Sequence, residues 1–239
     1  MNSNNKTALI TGASSDIGTA ITKKLASMGY NVIIHYFKNK DAALNLEKEI
    51  IHNYSVKTLV ISADISNENE ITNMFNTIRN DFPQLDILIN NAGIAMDNDI
   101  YDKTKDEFLK VLEVNLLGTF LVTKEATKNM DKGIIINISS TDGIDTYNDL
   151  SMDYCASKAG INSLTKTLAM RFPNIKVIAL APNWVKTKSV LEMDPAFLKQ
   201  ELIRIGQKEL ITTDEVANKV EELILDNTIK SGSIIRIDK

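Results

Sequence analysis

Tyr154 and Lys158, four residues apart in the run Tyr154-Cys155-Ala156-Ser157-Lys158, are the residue types needed to move a proton on or off an oxygen. The run follows a loop of turn formers, Asp142-Gly143 through Asn148-Asp149, and opens an apolar-periodic stretch through Met170 that reads as a helix. Positions four apart on a helix share one face. A phenol titrates near pH ~10. A neighbouring ammonium favours the phenolate and lowers that value. The pair is then a general acid/base unit. An ordinary solvated helix face carries the same spacing, so other segments have to decide.

The second stretch with chemical content is Thr11-Gly12-Ala13-Ser14-Ser15-Asp16-Ile17-Gly18, between an apolar strand and the start of a helix. Glycines let a backbone turn tightly and approach a diphosphate, and a helix N-terminus offers free N–H groups and a positive dipole end. Gly12 and Gly18 fit the first and last glycines of such a site, and Asp16 replaces the middle one. Asp16 is expected to cap the helix and face away from the phosphates. His35 and His52 lie far from these motifs in sequence and are assigned no metal or catalytic role. No metal site is expected.

Short apolar runs must position these groups. Thr7–Ile10, Val32–Tyr36, Thr58–Ile61, Ile87–Ile89, Ile134–Ile138, Val177–Leu180 and Ser233–Ile237 are rich in Ile and Val and nearly continuous, as parallel strands covered on both faces are. Helical stretches near 17–28, 40–52, 68–80, 104–129, 153–171 and 214–226 lie between them. The alternation predicts an α/β fold: a doubly wound parallel sheet (Rossmann fold) of about seven strands with helices on both faces. No linker or repeat divides the chain, which reads as one dinucleotide-binding and catalytic domain over residues 1–239. Residues 187–213 interrupt the alternation as a substrate-side excursion, with Met193-Asp194-Pro195 opening a short helix.

Composition narrows the class. The 239 residues are 44% hydrophobic and 24% charged, ordinary for a globular domain. The net charge of -4, without clustered lysines or arginines, argues against nucleic acid. One cysteine, Cys155, leaves no intramolecular disulfide and suggests a reducing, cytoplasmic compartment. The polar start from Met1 to Lys6 does not read as a signal peptide. No apolar run approaches the ~18–20 residues of a membrane span.

Three further motifs complete an ordered set: Asn90-Asn91-Ala92-Gly93 after the fourth strand, Asn115 within the next helical stretch, and Ser139-Ser140 ending the fifth strand. With the glycine turn and the Tyr154–Lys158 run, the whole chain resembles the short-chain dehydrogenase/reductase family. The resemblance implies an NAD(P)(H)-dependent oxidoreductase acting on CH–OH and C=O groups. It implies Tyr154 as acid/base on the substrate oxygen, and Lys158 lowering its pKa and hydrogen-bonding the nicotinamide ribose. Ser140 would stabilise the substrate carbonyl, with Ser139 as the alternative, and Asn115 would hold a water linking Lys158 to a proton relay.

The same resemblance implies a cofactor site. Gly12, Ser14, Ser15, Ile17 and Gly18 would form the phosphate turn. Asp64 and Ile65 would meet the adenine, and Asn91, Ala92 and Gly93 the adenosine ribose. Pro182, Val185 and Thr187 would lie at the nicotinamide carboxamide, where Asn183 replaces the family's glycine. A carboxylate ending strand two would select NAD(H), but the loop reads His35-Tyr36-Phe37-Lys38-Asn39-Lys40. Tyr36 and Lys38 are placed at the adenosine ribose, and Lys38 could pair with a 2′-phosphate. NADP(H) is therefore preferred over NAD(H), although the turn lacks a basic residue.

Among relatives, the bacterial 3-oxoacyl-(acyl-carrier-protein) reductase group is most similar, implying an acyl-thioester substrate and an acyl carrier protein partner. Departures from that group are the missing terminal Gly-Gly, Ile178, the short stretch from Thr127 to Gly133, and the turn without its Arg. A reductase of another small ketone, sugar or secondary metabolite is the alternative; a catalytically silent dinucleotide-binding regulator is a third. Relatives are mostly homotetramers or homodimers. Helices 104–129 and 153–171 are the candidate interface, with Met152, Cys155, Leu164 and Leu168 as outward apolar positions.

Overall fold

The computed structural model describes residues 6–239, so residues 1–5 of the expected domain lie outside the described residues. One seven-stranded parallel sheet runs in the order β3-β2-β1-β4-β5-β6-β7. Its strands are β1 (Thr7–Ile10), β2 (Asn31–Tyr36), β3 (Thr58–Ser62), β4 (Ile87–Asn90), β5 (Gly133–Ile138), β6 (Ile175–Pro182) and β7 (Ile234–Ile237). The chain moves outward from β1 to β3, then returns to place β4 on the other side of β1. That reversal opens a crevice at the carboxyl ends of β1 and β4, where ligands of such sheets bind.

The strands alternate between two cores, as a two-residue period requires. Ala8, Ile10, Val32 and Ile34 face one, under α1 (Asp16–Ser27), α2 (Lys40–Asn53) and α9 (Thr213–Leu225). Leu9 and Ile33 face the other, under α3 (Glu68–Asp81), α5 (Thr119–Ala126) and α6 (Met152–Arg171). Each fully buried Leu or Ile contributes about 1.5–3 kcal/mol from apolar burial. Asn90, Asn137, Thr123 and Thr165 form a polar ladder inside the second core, with Asn90 Nδ2 donating to Asn137 Oδ1 at 2.8 Å and Asn137 Nδ2 to Thr165 Oγ1 at 2.9 Å.

Helix starts follow side-chain caps. α4 (Lys105–Leu112) opens on a Thr104–Glu107 capping box, and α9 on a Thr212–Glu215 box. α1 is capped by Ser15, whose hydroxyl accepts from Gly18 N. The expected cap, Asp16, is instead the first helical residue, and its carboxylate accepts from Lys188 N at 2.5 Å. The single helix expected over 104–129 is also corrected. A π-helical turn, Glu113–Gly118, separates α4 from α5, and a 3-10 turn, Thr127–Asn129, follows. Gly118 presses its bare backbone on Ile65, where an added Cβ would meet Ile65 Cδ1 at 2.9 Å.

The excursion holds two short helices, α7 (Lys188–Leu191) and α8 (Pro195–Arg204). Asp194 caps α8 by accepting from Ala196 N and Phe197 N, with Pro195 in the first turn.

Candidate active site

A cleft of about 640 Å³ opens at the carboxyl edge of the sheet. The ends of β4, β5 and β6, the start of α1, the first turns of α6 and the excursion wall it. Among its lining residues are Ser15, Ile17, Asn91, Gly93, Ser140, Tyr154 and Lys158. Two sequence motifs 140 residues apart therefore meet because every loop leaving a parallel strand at this end points into one crevice.

The glycine turn is tightly built. Gly12 has φ +61, a left-handed backbone that favours glycine. An added Cβ at Gly18 would come within 2.3 Å of Gly12 O, so α1 starts directly against the turn. Asn91 Nδ2 donates to Thr11 O and Gly12 O, both at 3.0 Å, and to Ser15 Oγ at 3.2 Å. Thr11 Oγ1 accepts from Asn91 N and Ala92 N at 3.0 Å. The two cofactor motifs, 11–18 and 90–93, thus form one bonded unit.

His35 belongs to this unit as a structural member. It is buried, its Nδ1 accepts from Gly12 N at 3.2 Å, and its Nε2 lies 3.0 Å from Ala63 O. That pattern assigns the proton to Nε2. Burial lowers its pKa to about 4, against the opposing influence of the Ala63 carbonyl and Asp64. Pairing of β1 with β2 brings it beside the turn, with Ile10 opposite Ile34.

The adenosine side lies at the ends of β2 and β3. Tyr36 is partly buried, while Lys38 is exposed with Nζ 5.5 Å from the Phe37 ring centre. Asp64 Oδ1 accepts from Ser66 N at 2.9 Å and Ser66 Oγ at 2.6 Å, and Lys110 Nζ stands 3.8 Å from Oδ2. Ile65 is buried and Ser14 half-buried. Across the cleft, β6 ends at Pro182, Val185 bridges to Ile211, and Thr187 caps α7 by accepting from Val190 N. Asn183 Oδ1 accepts from Trp184 N at 3.1 Å.

At the catalytic end, Ser139 and Ser140 separate. Ser139 Oγ donates to Asn162 Oδ1 at 2.7 Å and to Lys158 O at 3.2 Å, so it is tied to α6. Ser140 Oγ accepts from Asp142 N at 3.1 Å and stands close enough to the Tyr154 hydroxyl to draw its pKa down against burial. Of the two serines, Ser140 stands with the phenol. Lys158 is buried, and its Nζ donates to Ile138 O at 2.8 Å and lies 5.3 Å from the Tyr154 ring centre. Gly93 keeps space open here, since a Cβ on it would meet Lys158 Nζ at 3.7 Å and Asn115 Oδ1 at 3.2 Å.

One expectation is revised here. The Tyr154 phenol is raised, not lowered: burial pushes it up first, and the Asp142 carboxylate adds to that, against the Ser140 hydroxyl. Burial likewise brings Lys158 down to about 8, with Asp142 opposing. Desolvation disfavours both charged forms. Asp142 itself is raised by burial despite bonds from Thr146 and Ser140. Asn115 sits buried in the π-turn. Its Nδ2 donates to Ile94 O at 2.8 Å and Ser157 Oγ at 3.0 Å, and its Oδ1 accepts from Ile94 N at 2.8 Å. The side chain thereby joins the loop after β4 to α6.

The residues fit a dinucleotide: a glycine turn at a helix N-terminus, a bare Gly93 backbone beside Lys158, and a cleft long enough to reach Thr187. The family model for short chain dehydrogenase matches residues 6–196, and the chain belongs to this family. It is an NAD(P)-dependent oxidoreductase acting on CH–OH and C=O groups. Similar proteins include a 3-oxoacyl-(acyl-carrier-protein) reductase of Aquifex aeolicus, 36% identical over 98% of this chain and 96% of that protein. Another of that name from Synechocystis is 34% identical over 92% of this chain and 89% of its own. A short chain dehydrogenase of Burkholderia cenocepacia, solved in complex with NADP, superposes with a TM-score of 0.90 at 28% identity over 100% of this chain and 98% of that one. A dehydrogenase/reductase of Sinorhizobium meliloti gives a TM-score of 0.91 at 28% identity, covering 98% of this chain and 94% of its own.

Proposed function

We propose that the chain reduces a ketone to a secondary alcohol with NADP(H), Tyr154 giving the proton, and that a 3-oxoacyl thioester carried by an acyl carrier protein is the substrate. The observation that carries this reading is the meeting of Ser140, Tyr154 and Lys158 in one cleft with the glycine turn. A bound reduced nicotinamide supplies the hydride. Negative charge growing on the carbonyl oxygen during reduction would meet the Ser140 and Tyr154 hydroxyls, donors suited to it. A phenol held neutral by burial is a proton donor at neutral pH, and it recovers its proton from water after the alcohol forms. Lys158, charged below about 8, offers N–H groups to a ribose, and Asn115 holds the loop bearing Gly93 and Ile94 against α6.

The acyl-thioester substrate follows the names of the similar reductases. Lys188 lines the cleft, and Lys186 lies beside it in sequence, as an acidic carrier would require. A second reading, a small hydroxylated ketone or sugar, is favoured by Asp97 and Asp142, carboxylates that line the cleft and accept from hydroxyls. Following NADPH and NADH loss with acetoacetyl-CoA and with hydroxyketones separates these. Turnover of acetoacetyl-CoA with NADPH well above the rest supports the first reading. Turnover of hydroxyketones alone removes it.

Assembly is proposed through α4, the π-turn, the start of α5 and α6. Leu109, Leu117 and Phe120 are exposed there, and with Leu112, Leu116 and Leu164 they line an apolar hollow. Cys155 and Leu168, expected to face outward, are buried within the domain. A homodimer or homotetramer would cover this face. No helix among the described residues is long and apolar enough to cross a membrane, and a cytoplasmic location is part of the proposal.

A further inference from the structure

Lys103 and Asp153 form an ion pair at 2.9 Å with side chains only 8% and 0% exposed. Neither residue belongs to the motifs described above. Lys103 ends the loop that follows Gly93, and Asp153 is the second residue of α6, directly before Tyr154. The ammonium also donates to Met96 O, inside the same loop. The second carboxylate oxygen, Oδ1, accepts from Tyr154 N at 2.9 Å.

The helix start around this pair is unusual. Ser151 occupies the N-cap position but makes no side-chain cap bond. Its hydroxyl donates instead to Asp97 Oδ1, and Asn98 N donates to Leu150 O at 2.9 Å. Three links therefore join residues 96–103 to residues 150–153. Ile94, Ala95 and Asp97, from the same loop, line the cleft together with Tyr154. Taking two charges out of water opposes folding, and an apolar pair of like volume is often as stable. Stability is thus a weak reason for this pair, whereas fixed geometry beside a proton donor is a strong one.

We propose that the Lys103–Asp153 pair is a positioning device that pins the loop after β4 to the first turn of α6 and so sets the separation of the pocket wall from the Tyr154 hydroxyl. This rests on the carbonyl-reductase reading for its kinetic readout, but not for its structural one. The test uses the full chain as Lys103→Met, Asp153→Asn and the double variant. Hydrogen exchange, thermal midpoint, NADPH affinity by fluorescence, and kinetics with acetoacetyl-CoA are measured for each. In Lys103→Met, amides of 94–103 and 148–154 are expected to exchange at least about tenfold faster, with the 12–18 turn unchanged. KM for acetoacetyl-CoA should rise about tenfold while NADPH affinity stays within about twofold. The double variant, with no unpaired buried charge, should regain the thermal midpoint yet keep the fast exchange and the raised KM. If a single variant fails to fold, the double variant still decides. Unaltered exchange in the double variant, or recovery of exchange and KM together with the midpoint, overturns the proposal. If wild-type protein does not reduce acetoacetyl-CoA, the substrate reading falls, and the exchange and NADPH measurements still judge the latch.

Discussion

Gly143 lies against the backbone of Lys158: a Cβ at position 143 would stand 2.5 Å from the Lys158 carbonyl carbon and 2.6 Å from Ala159 N. The loop carrying Ser140 and Asp142 is therefore seated on α6, and Asn162 Nδ2 reinforces it with a 3.0 Å bond to Gly143 O. Neither backbone can yield without moving Ser140 from Tyr154. Gly143→Ala should lower kcat about 10²-fold, the scale of a displacement near 1 Å. NADPH binding, measured by fluorescence, should stay within about twofold, because the glycine turn is remote from this contact.

Lys158 carries a stability penalty that its proposed role explains. Burial holds it at about 8 against 10.5 when free, which costs the folded state about 3 kcal/mol at pH 7. The folded state releases this proton before the unfolded state does, so stability rises with pH between about 8 and 10.5. Lys158→Met should abolish turnover and be more stable than wild type at pH 7. The gain should be about 1–3 kcal/mol in urea unfolding, reduced by the Ile138 carbonyl left without its donor. The difference should shrink as pH rises through that window. A less stable variant at pH 7 would contradict the assignment of burial as the cause.

His35 makes a prediction of similar form at lower pH. Its folded pKa is about 4 and its ordinary value 6.5. The unfolded chain therefore takes up a proton first as pH falls, and the contribution of His35 is complete above about 6.5 and lost progressively toward 4. Wild type should lose about 3 kcal/mol over that window that His35→Asn does not lose. His35→Leu leaves Gly12 N–H and Ala63 C=O without their partners. It should weaken NADPH binding about tenfold by loosening the turn, with kcat little changed, measured by titration and by steady-state rates.

The apolar face at Leu117 and Phe120 is tested by charge. Phe120→Glu with Leu117→Glu should convert the assembly to monomers in sedimentation, since like charges would oppose each other across a two-fold interface. An unchanged sedimentation coefficient would place the interface elsewhere.

Much of this architecture is legible in residue type, and the remainder is not for physical reasons. The Ile/Val runs mark every strand, and β1 is found at Thr7–Ile10 as read. Asn31, Ser62 and Asn90 extend their strands through backbone pairing, which side-chain type does not announce. The π-turn at Glu113–Gly118 is hidden because one added residue per turn barely alters apolar spacing. Ser15 and Asp16 are both good caps, and only the bond to Gly18 N separates them. The proximity of His35 to Gly12 is a product of β1–β2 register, with its only trace being a polar residue inside an apolar strand. Lys103 and Asp153 are 50 positions apart and leave no local signal. The direction of the Tyr154 shift depends on burial and on Asp142, neither of which spacing reveals.

The proton donor is the centre of the account, and Tyr154→Phe tests it most directly. The variant removes one oxygen and keeps the ring beneath the Lys158 ammonium. NADPH affinity by fluorescence titration should remain within about twofold. In the same preparation, kcat with the best carbonyl substrate should fall about 10²–10⁴-fold, the range for loss of a general acid. Wild-type turnover by Tyr154→Phe, with NADPH bound normally, would contradict it.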